Sequence, residues 1–146
     1  MPRWLRRSAR PTDDQTALAM RTLAEAFAGD EFTWASTEAT RLDSVCETFL
    51  AAGPTEEEFE ALVAGIGAYL GELLVRHAGG RWIYDPEQKM AAVDLPTGFR
   101  GFPHHKVAKR LELGAEHDLF EFYWYAITND VPPGSIVTQW GSSRDL

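Results

Sequence analysis

Hydrophobic residues recur at helical spacing near the start of the chain. Leu18, Leu23 and Phe27 lie on or near one face of a predicted first helix. We place its start near Thr12 or Asp13, because acidic residues suit the positive end of a helix dipole, and its end at Gly29. The pattern predicts an amphipathic helix with both leucines on its apolar face.

Two further helices are predicted on either side of Gly53-Pro54. The second begins at about Thr37, and its apolar residues are Leu42, Val45, Cys46 and Phe49. The third begins at a capping box formed by Thr55 and Glu58, in which each side chain accepts a hydrogen bond from the other residue's backbone amide. It is apolar around most of its circumference until Gly79-Gly80, so we expect it to be the central, most buried helix.

Residues that favour β-structure follow the third helix. Residues 81–84 are rich in them, residues 85–88 have turn chemistry, and residues 90–95 form a second apolar run. This succession predicts a β-hairpin. Residues 97–102 predict a short third strand, although two glycines weaken the pattern.

Two short helices complete the predicted core. One starts at Pro103 and ends before Gly114, and the other covers residues 118–127. Residues 136–140 then suggest a terminal strand or an ordered extension. The elements together predict an α+β fold, in which about five helices surround a central helix and pack on a small antiparallel sheet of two or three strands.

Length and composition fit one globular domain. The chain has 146 residues, of which 45% are hydrophobic, and this is enough for a single core. We assign the domain to residues 12–140, a basic flexible arm to residues 1–11 and a frayed tail to residues 141–146.

The net charge of −8 is unevenly distributed. The arm contains four arginines, Arg3, Arg6, Arg7 and Arg10, so the other 135 residues carry −12 from 10 basic and 22 acidic side chains. An acidic body repels phosphates, and no nucleic-acid motif accompanies the arginines, so nucleic-acid binding is not expected. The arm is either a solvated segment or an electrostatic tether to an acidic partner, to anionic lipid or to the protein's own acidic surface.

Several classes of site are not expected from the motifs present. Cys46 is the only cysteine, so an internal disulfide and a multi-cysteine metal cluster are excluded. The sequence has no zinc, phosphate-loop or nucleophile-elbow motif, and we predict no metal, no cofactor and no catalytic residue. It also has neither a membrane-spanning run nor a secretory signal, so a cytoplasmic location is expected.

A strip of small residues in the third helix is the first candidate for a site. The strip consists of Ala64, Gly65, Gly67, Ala68 and Gly71. Each glycine costs about 0.8–1 kcal/mol of helix propensity relative to alanine. We expect close approach of another helix or of the hairpin to offset that cost, and the alternative is a surface open to a ligand or partner.

Glu72 follows this strip and has two interpretations. It can form an exposed ion pair with Arg76 one turn later, or it can be buried, in which case its carboxylate is either paired, for instance with Arg81, or protonated. Burial would make it the best candidate for a ligand site. The pocket would then lie between the third helix and the hairpin, with these candidate residues: Tyr69, Glu72, Arg81, His104 and His105.

The fifth predicted helix contains five aromatic residues in six positions: Phe120, Phe122, Tyr123, Trp124 and Tyr125. They cannot all face one core. We expect two or three to be internal and one or two of the last three to form an exposed patch, since exposed aromatic residues anchor partners. The predicted partner-binding residues are therefore Tyr123, Trp124 and Tyr125, together with Arg3, Arg6 and Arg7 of the arm.

Residues 38–127 resemble a group of bacterial domains of unknown function. The segments that carry the resemblance are Gly67-Ala68-Tyr69-Leu70-Gly71-Glu72, Gly79-Gly80-Arg81-Trp82, Phe102-Pro103 with Val107, Lys109, Arg110, Leu111 and Gly114, and residues 118–123. In that group a helix leads through two glycines to a small sheet, and an aromatic helix closes the domain. The resemblance implies a shared fold, and it implies no activity.

Two functions follow from these observations. The first is a non-catalytic protein-interaction or regulatory accessory module, because an acidic body, a basic arm and surplus aromatic residues suit a protein partner. The alternative is a small-ligand-binding domain or an uncharacterised enzyme, with its pocket between the central helix and the hairpin. Burial of Glu72 beside a cavity favours the pocket, and an exposed aromatic patch around Trp124 favours the partner. The oligomeric state is left open.

Overall fold

Five α-helices and three strands make up the part of the chain that the computed structural model describes, residues 10–128. The helices are α1 (Asp13–Ala28), α2 (Leu42–Ala51), α3 (Glu56–Ala78), α4 (Pro103–Leu113) and α5 (Leu119–Thr128). The strands are β1 (Arg81–Asp85), β2 (Met90–Asp94) and β3 (Arg100–Gly101). The predicted α+β fold is confirmed. Most of the predicted arm, the predicted terminal strand or extension, and the predicted tail lie outside the described residues.

Capping boxes begin both α1 and α3. The hydroxyl of Thr12 accepts a hydrogen bond from the Gln15 amide at 3.1 Å, and the Gln15 side chain accepts one from the Thr12 amide at 2.9 Å. Thr55 and Glu58 make the same pair of bonds at 3.2 and 2.9 Å, which confirms the predicted box. At the other end of α3, Gly79 adopts a left-handed conformation with φ 70°, which favours glycine.

The packed face of α1 differs from the predicted one. Leu18 is 61% exposed and Leu23 is 38% exposed, so their assignment to the apolar face is wrong. The buried positions of α1 are Thr16, Ala24 and Ala28. These are small side chains, which let two helix backbones approach closely.

The chain before α2 is wound more tightly than predicted. The helix expected from Thr37 is a 3₁₀-helix over Ser36–Arg41 and becomes α-helical only at Leu42. Within it, the Glu38 carboxylate folds back to accept a hydrogen bond from the Thr33 amide at 2.7 Å. Glu38 also forms an ion pair with Arg41 at 3.0 Å. These bonds lower the pKa of Glu38 and hold the connection between α1 and α2 against the domain.

The sheet is antiparallel in the order β1-β2-β3. The amide of Tyr84 in β1 donates to the carboxylate of Asp13 at 2.9 Å, so the first residue of α1 occupies part of the outer edge of the sheet. At the hairpin turn, Asp85 accepts from two backbone amides and pairs with Arg100 at 2.9 Å. Arg100 also binds Asp94 at 2.6 Å, so one guanidinium joins β3 to both strands of the hairpin.

The small-residue strip of α3 is in close contact with its neighbours. A Cβ atom on Gly67 would lie 2.4 Å from the His104 ring of α4, and one on Gly71 would lie 2.2 Å from the Trp82 ring of β1. Real Cβ atoms do not approach other atoms this closely, so both positions require glycine. The expected close approach of a helix and the hairpin is therefore confirmed, and residues 66–74 of α3 are all buried.

Replacing Gly67 by alanine should destabilise the protein. Alanine gains about 1 kcal/mol of helix propensity, but its methyl group would clash with the ring and the backbone Cα of His104. We expect a net loss of about 1–3 kcal/mol in the free energy of unfolding, measured by urea denaturation. Gly65→Ala is the matched control, because its nearest contact is Phe27 at 3.2 Å and its loss should be smaller. Equal or greater stability of Gly67→Ala would contradict the packing described.

Candidate functional site

Glu72 lies in the buried interior of the domain. Its side chain carboxylate accepts a hydrogen bond from the Trp82 indole nitrogen at 3.0 Å, and its other oxygen lies 3.8 Å from Nε of Arg76. The residue is only 6% exposed. Glu72 therefore pairs with Arg76, as one interpretation proposed, but the Glu72 carboxylate is buried and not exposed. The suggested pairing with Arg81 is wrong, because Trp82 is the partner of Glu72 on the hairpin.

Tyr69 belongs to an aromatic cluster on the side of α3 that faces the connection after α1. Its ring centroid lies 5.4 Å from those of Phe27 and Phe32 and 5.0 Å from that of Trp34. Its hydroxyl donates a hydrogen bond to the Thr33 carbonyl. Burial raises the pKa of Tyr69 to about 12, so the phenol is neutral at ordinary pH and serves to hold this connection in place.

Two cations cover the outer side of this aromatic cluster. The guanidinium of Arg76 lies 4.0 Å from the centroid of the Trp34 ring, and that of Arg41 lies 4.1 Å from the centroid of the Phe32 ring. Contacts of this kind contribute about 0.5–1 kcal/mol each at exposed sites. Arg76 thus links the buried Glu72 to Trp34.

His104, at the start of α4, is a packing residue. The His104 ring lies against Gly67, with its centroid 6.2 Å from that of Trp82. Burial lowers the pKa of His104 to about 4, and a hydrogen bond with the Ala64 backbone opposes this shift. His105 is half-buried on the same helix, and Arg81 is exposed at the start of β1. Trp82 fills the space beside Gly71, between α3 and the hairpin, where the ligand pocket was predicted.

The aromatic residues of α5 divide into an inner and an outer set. Phe122 and Tyr123 are buried, and the Tyr123 hydroxyl is hydrogen-bonded to Ser36. Tyr125 is half-buried with its ring 5.6 Å from that of Phe99. Trp124 is 39% exposed and lies 6.0 Å from the half-buried Phe120 ring.

Among the three predicted anchors on α5, Trp124 is therefore the one with a large exposed ring. Tyr123 is not available to a partner, because its ring is buried and its hydroxyl is already bonded. Arg3, Arg6 and Arg7 lie outside the described residues.

A group of buried and half-buried titratable side chains joins α2, α4 and the start of α5, and the sequence patterns did not predict it. We call it the charged cluster, and its members are Asp43, Lys106, Arg110, His117 and Asp118. The Arg110 side chain is 3% exposed and pairs with Asp43 at 2.8 Å and with Glu47 at 2.9 Å. Asp43 also accepts hydrogen bonds from the first two amides of α5, at 3.0 and 3.2 Å. A carboxylate from α2 therefore caps α5.

The remaining members of the charged cluster have shifted pKa values. Burial and the nearby Lys109 lower the pKa of Lys106 to about 8. Burial and Lys106 lower the pKa of His117, whose Nδ1 is buried without a hydrogen-bond partner among the described residues. The sequence did contain a signal for this cluster. Lys106 and Arg110 share a helical face with the buried residues Pro103, Val107 and Leu111, so two cations occupy core positions.

A shallow groove of about 350 Å³ lies between α2 and α3, away from the predicted site residues. It is lined by Arg41, Ser44, Val45, Thr48, Phe49 and Leu62. None of the described residues forms a group of three histidine, cysteine or carboxylate side chains able to hold a metal ion. Within the same residues, the helices are too short or too polar to cross a membrane.

Comparison with known proteins identified no relative. No family model, no curated protein and no solved structure matches the chain. The resemblance of residues 38–127 to a group of bacterial domains therefore stays a prediction.

Replacing Asp43 by alanine should strongly destabilise the protein. The change leaves the buried Arg110 guanidinium with only the exposed Glu47 as a carboxylate partner and removes the acceptor of two α5 amides. We expect a loss of about 3–5 kcal/mol in urea denaturation, since losing the nearer carboxylate of a buried charge and losing a helix cap are both costly. Glu47→Ala is the control, because Glu47 pairs with the same guanidinium but its side chain is 62% exposed, and it should lose less than about 1 kcal/mol. Equal losses in the two variants would contradict this account of the cluster.

Cys46 should be unreactive in the folded protein. Its side chain is fully buried, and burial raises the pKa of the thiol to about 12. Since the thiolate is the reactive form, iodoacetamide at pH 8 should modify Cys46 only when the protein unfolds. Mass spectrometry of native and urea-treated samples measures this. Native modification as fast as that in urea would show that the thiol is accessible.

Proposed function

We propose that this protein is a non-catalytic interaction or regulatory accessory module that binds another protein through the outer face of α5. The observation that carries the proposal is the exposure of Trp124 beside Phe120. Tryptophan is among the residues enriched at the energetic centres of protein interfaces, because its large ring provides contact area at a small cost in side-chain entropy.

The charge around α5 indicates the chemistry of the partner. Glu112 and Glu116, in the segment that leads into α5, are both exposed, and Leu113 between them is exposed as well. Four of the basic residues in the described part of the chain are already paired with carboxylates: Arg41, Arg76, Arg100 and Arg110. A partner segment with an apolar pocket and a cationic rim would complement this surface.

The small-ligand alternative has weaker support. Its pocket was expected between α3 and the hairpin, and Trp82 lies there against Gly71. Glu72 is buried as that alternative requires, but its carboxylate is already hydrogen-bonded to Trp82. The packing around Glu72 therefore favours a structural role for this residue.

Trp124→Ala should abolish partner binding without unfolding the protein. The full chain, purified gently from its own host, would be examined by native mass spectrometry. We expect a co-purifying protein with the wild type and its loss with Trp124→Ala, because the anchor is removed. Leu18→Ala is the matched control, since Leu18 is an exposed apolar residue on α1, and it should retain the partner.

Retention of the same partner by Trp124→Ala would contradict binding through this face. If no protein co-purifies with the wild type, with Trp124→Ala or with Leu18→Ala, the result would contradict a tight protein partner. A retained small molecule that disappears in Glu72→Gln would support the ligand-binding alternative instead.

A further inference from the structure

The two faces of the sheet are covered in different ways. Successive residues of a strand point to opposite faces. Trp82 of β1, which is paired with Val93 of β2, lies against Gly71 of α3. Gly101 of β3, which is also paired with Val93, faces the Phe122 ring of α5. This row therefore marks the inner face of the sheet, which packs on the helices and belongs to the main core.

A second group of buried apolar residues lies on the outer face of the sheet. Ile83 and Ala92 are directly opposite each other in β1 and β2. Phe102 follows the inward-facing Gly101 of β3, so it takes the next outward position. Ile83, Ala92 and Phe102 form a cluster that is separate from the main core. We call it the outer cluster.

The outer cluster is buried, although the described residues give it little apolar cover. Ile83 is 4% exposed and Phe102 is 3% exposed. Among the described residues, the half-buried Met90 is the only apolar side chain packed against the cluster. Arg100 adds polar cover, because it reaches from β3 to Asp85 on β1, at 2.9 Å. An apolar row of a sheet is normally buried by a further layer of structure, so we look for this layer outside residues 10–128.

The start of α1 places the basic arm beside the outer cluster. The Asp13 carboxylate accepts a hydrogen bond from the Tyr84 amide at 2.9 Å, so the chain enters α1 at the edge of β1. Arg10, the first described residue, precedes Asp13 by three positions. Three strands span about 10 Å, and the six residues from Trp4 to Arg10 reach up to about 20 Å. Trp4 and Leu5 are therefore close enough to reach every part of the cluster.

The other end of the described chain is less well placed. The Tyr125 ring of α5 lies 5.6 Å from that of Phe99, which directly precedes β3. Residues 129–146 thus begin next to β3, on the face that packs against α5. They would have to pass around β3 and across β2 to reach Ile83 on β1. The positions of the two chain ends favour the arm as the cover.

We infer that the arm folds back across the outer face of the sheet, where Trp4 and Leu5 cover the outer cluster. Burial of these two side chains contributes hydrophobic stabilisation that a solvated arm would not have. Arg3, Arg6 and Arg7 are then held beside the sheet. Their predicted role in partner binding would require the arm to leave it. The contact does not depend on the proposed binding through α5.

Methyl NMR tests this contact, because the chain has four isoleucine residues: Ile66, Ile83, Ile127 and Ile136. In the wild type, the Trp4 ring should shift the Ile83 methyl signal and show nuclear Overhauser contacts to it. Trp4→Ala should remove both effects. It should also increase severalfold the broadening of the Ile83 signal by a soluble gadolinium chelate. The Ile66 signal reports on the main core and should stay unchanged, which shows that the variant is folded.

Trp140→Ala is the matched control, because it removes the same ring from the other end of the chain and should leave the Ile83 signal unchanged. A response of Ile83 to Trp140→Ala, but not to Trp4→Ala, would overturn the proposal and assign the cover to residues 129–146. An Ile83 signal that ignores both changes would also overturn it. In a mixture of labelled and unlabelled chains, contacts between Trp4 and Ile83 of different molecules would replace it with docking on a second copy.

Discussion

Trp82 and His104 lie directly on the backbone of α3, because Gly71 and Gly67 have no side chains there. This contact sets the distance between the central helix, the sheet and α4. It also positions the indole nitrogen of Trp82 to satisfy the buried carboxylate of Glu72. The loss of helix propensity at the glycines is thus offset by dense packing on two sides of α3.

The charged cluster extends this arrangement to α5. Arg110 of α4 is buried and needs a carboxylate, which α2 supplies through Asp43. The same carboxylate caps α5 and thereby fixes the direction in which the aromatic helix leaves the core. Phe122 and Tyr123 then point inward, and Trp124 is left at the surface. The exposure of this ring therefore depends on interactions formed at the start of α5.

Local sequence signals predicted much of the fold. The capping box at Thr55, the turn at Asp85 and the glycine after α4 depend on neighbouring residues, and they appear where expected. Leu18 was placed on the wrong side of α1, because alanines and a threonine occupy the packed face instead.

The candidate sites were harder to predict, because their contacts are distant in sequence. Trp82 binds Glu72 from the hairpin, ten residues away, and Asp43 binds Arg110 across 67 residues. Helical periodicity alone does not identify such partners. Periodicity left open whether Glu72 is exposed or buried. The structure shows that Glu72 and Arg110 are both buried, and each therefore requires a partner.

The most direct test of this account is the ¹H NMR spectrum of the glycines in α3. If the Trp82 indole lies on Gly71, the ring current should shift the Gly71 Hα signals strongly away from their ordinary position. Contacts from those protons to the indole ring should also appear in a nuclear Overhauser spectrum. Ordinary shifts for Gly71, or contacts to a bound molecule instead of Trp82, would contradict the closed α3 surface and favour a ligand pocket there.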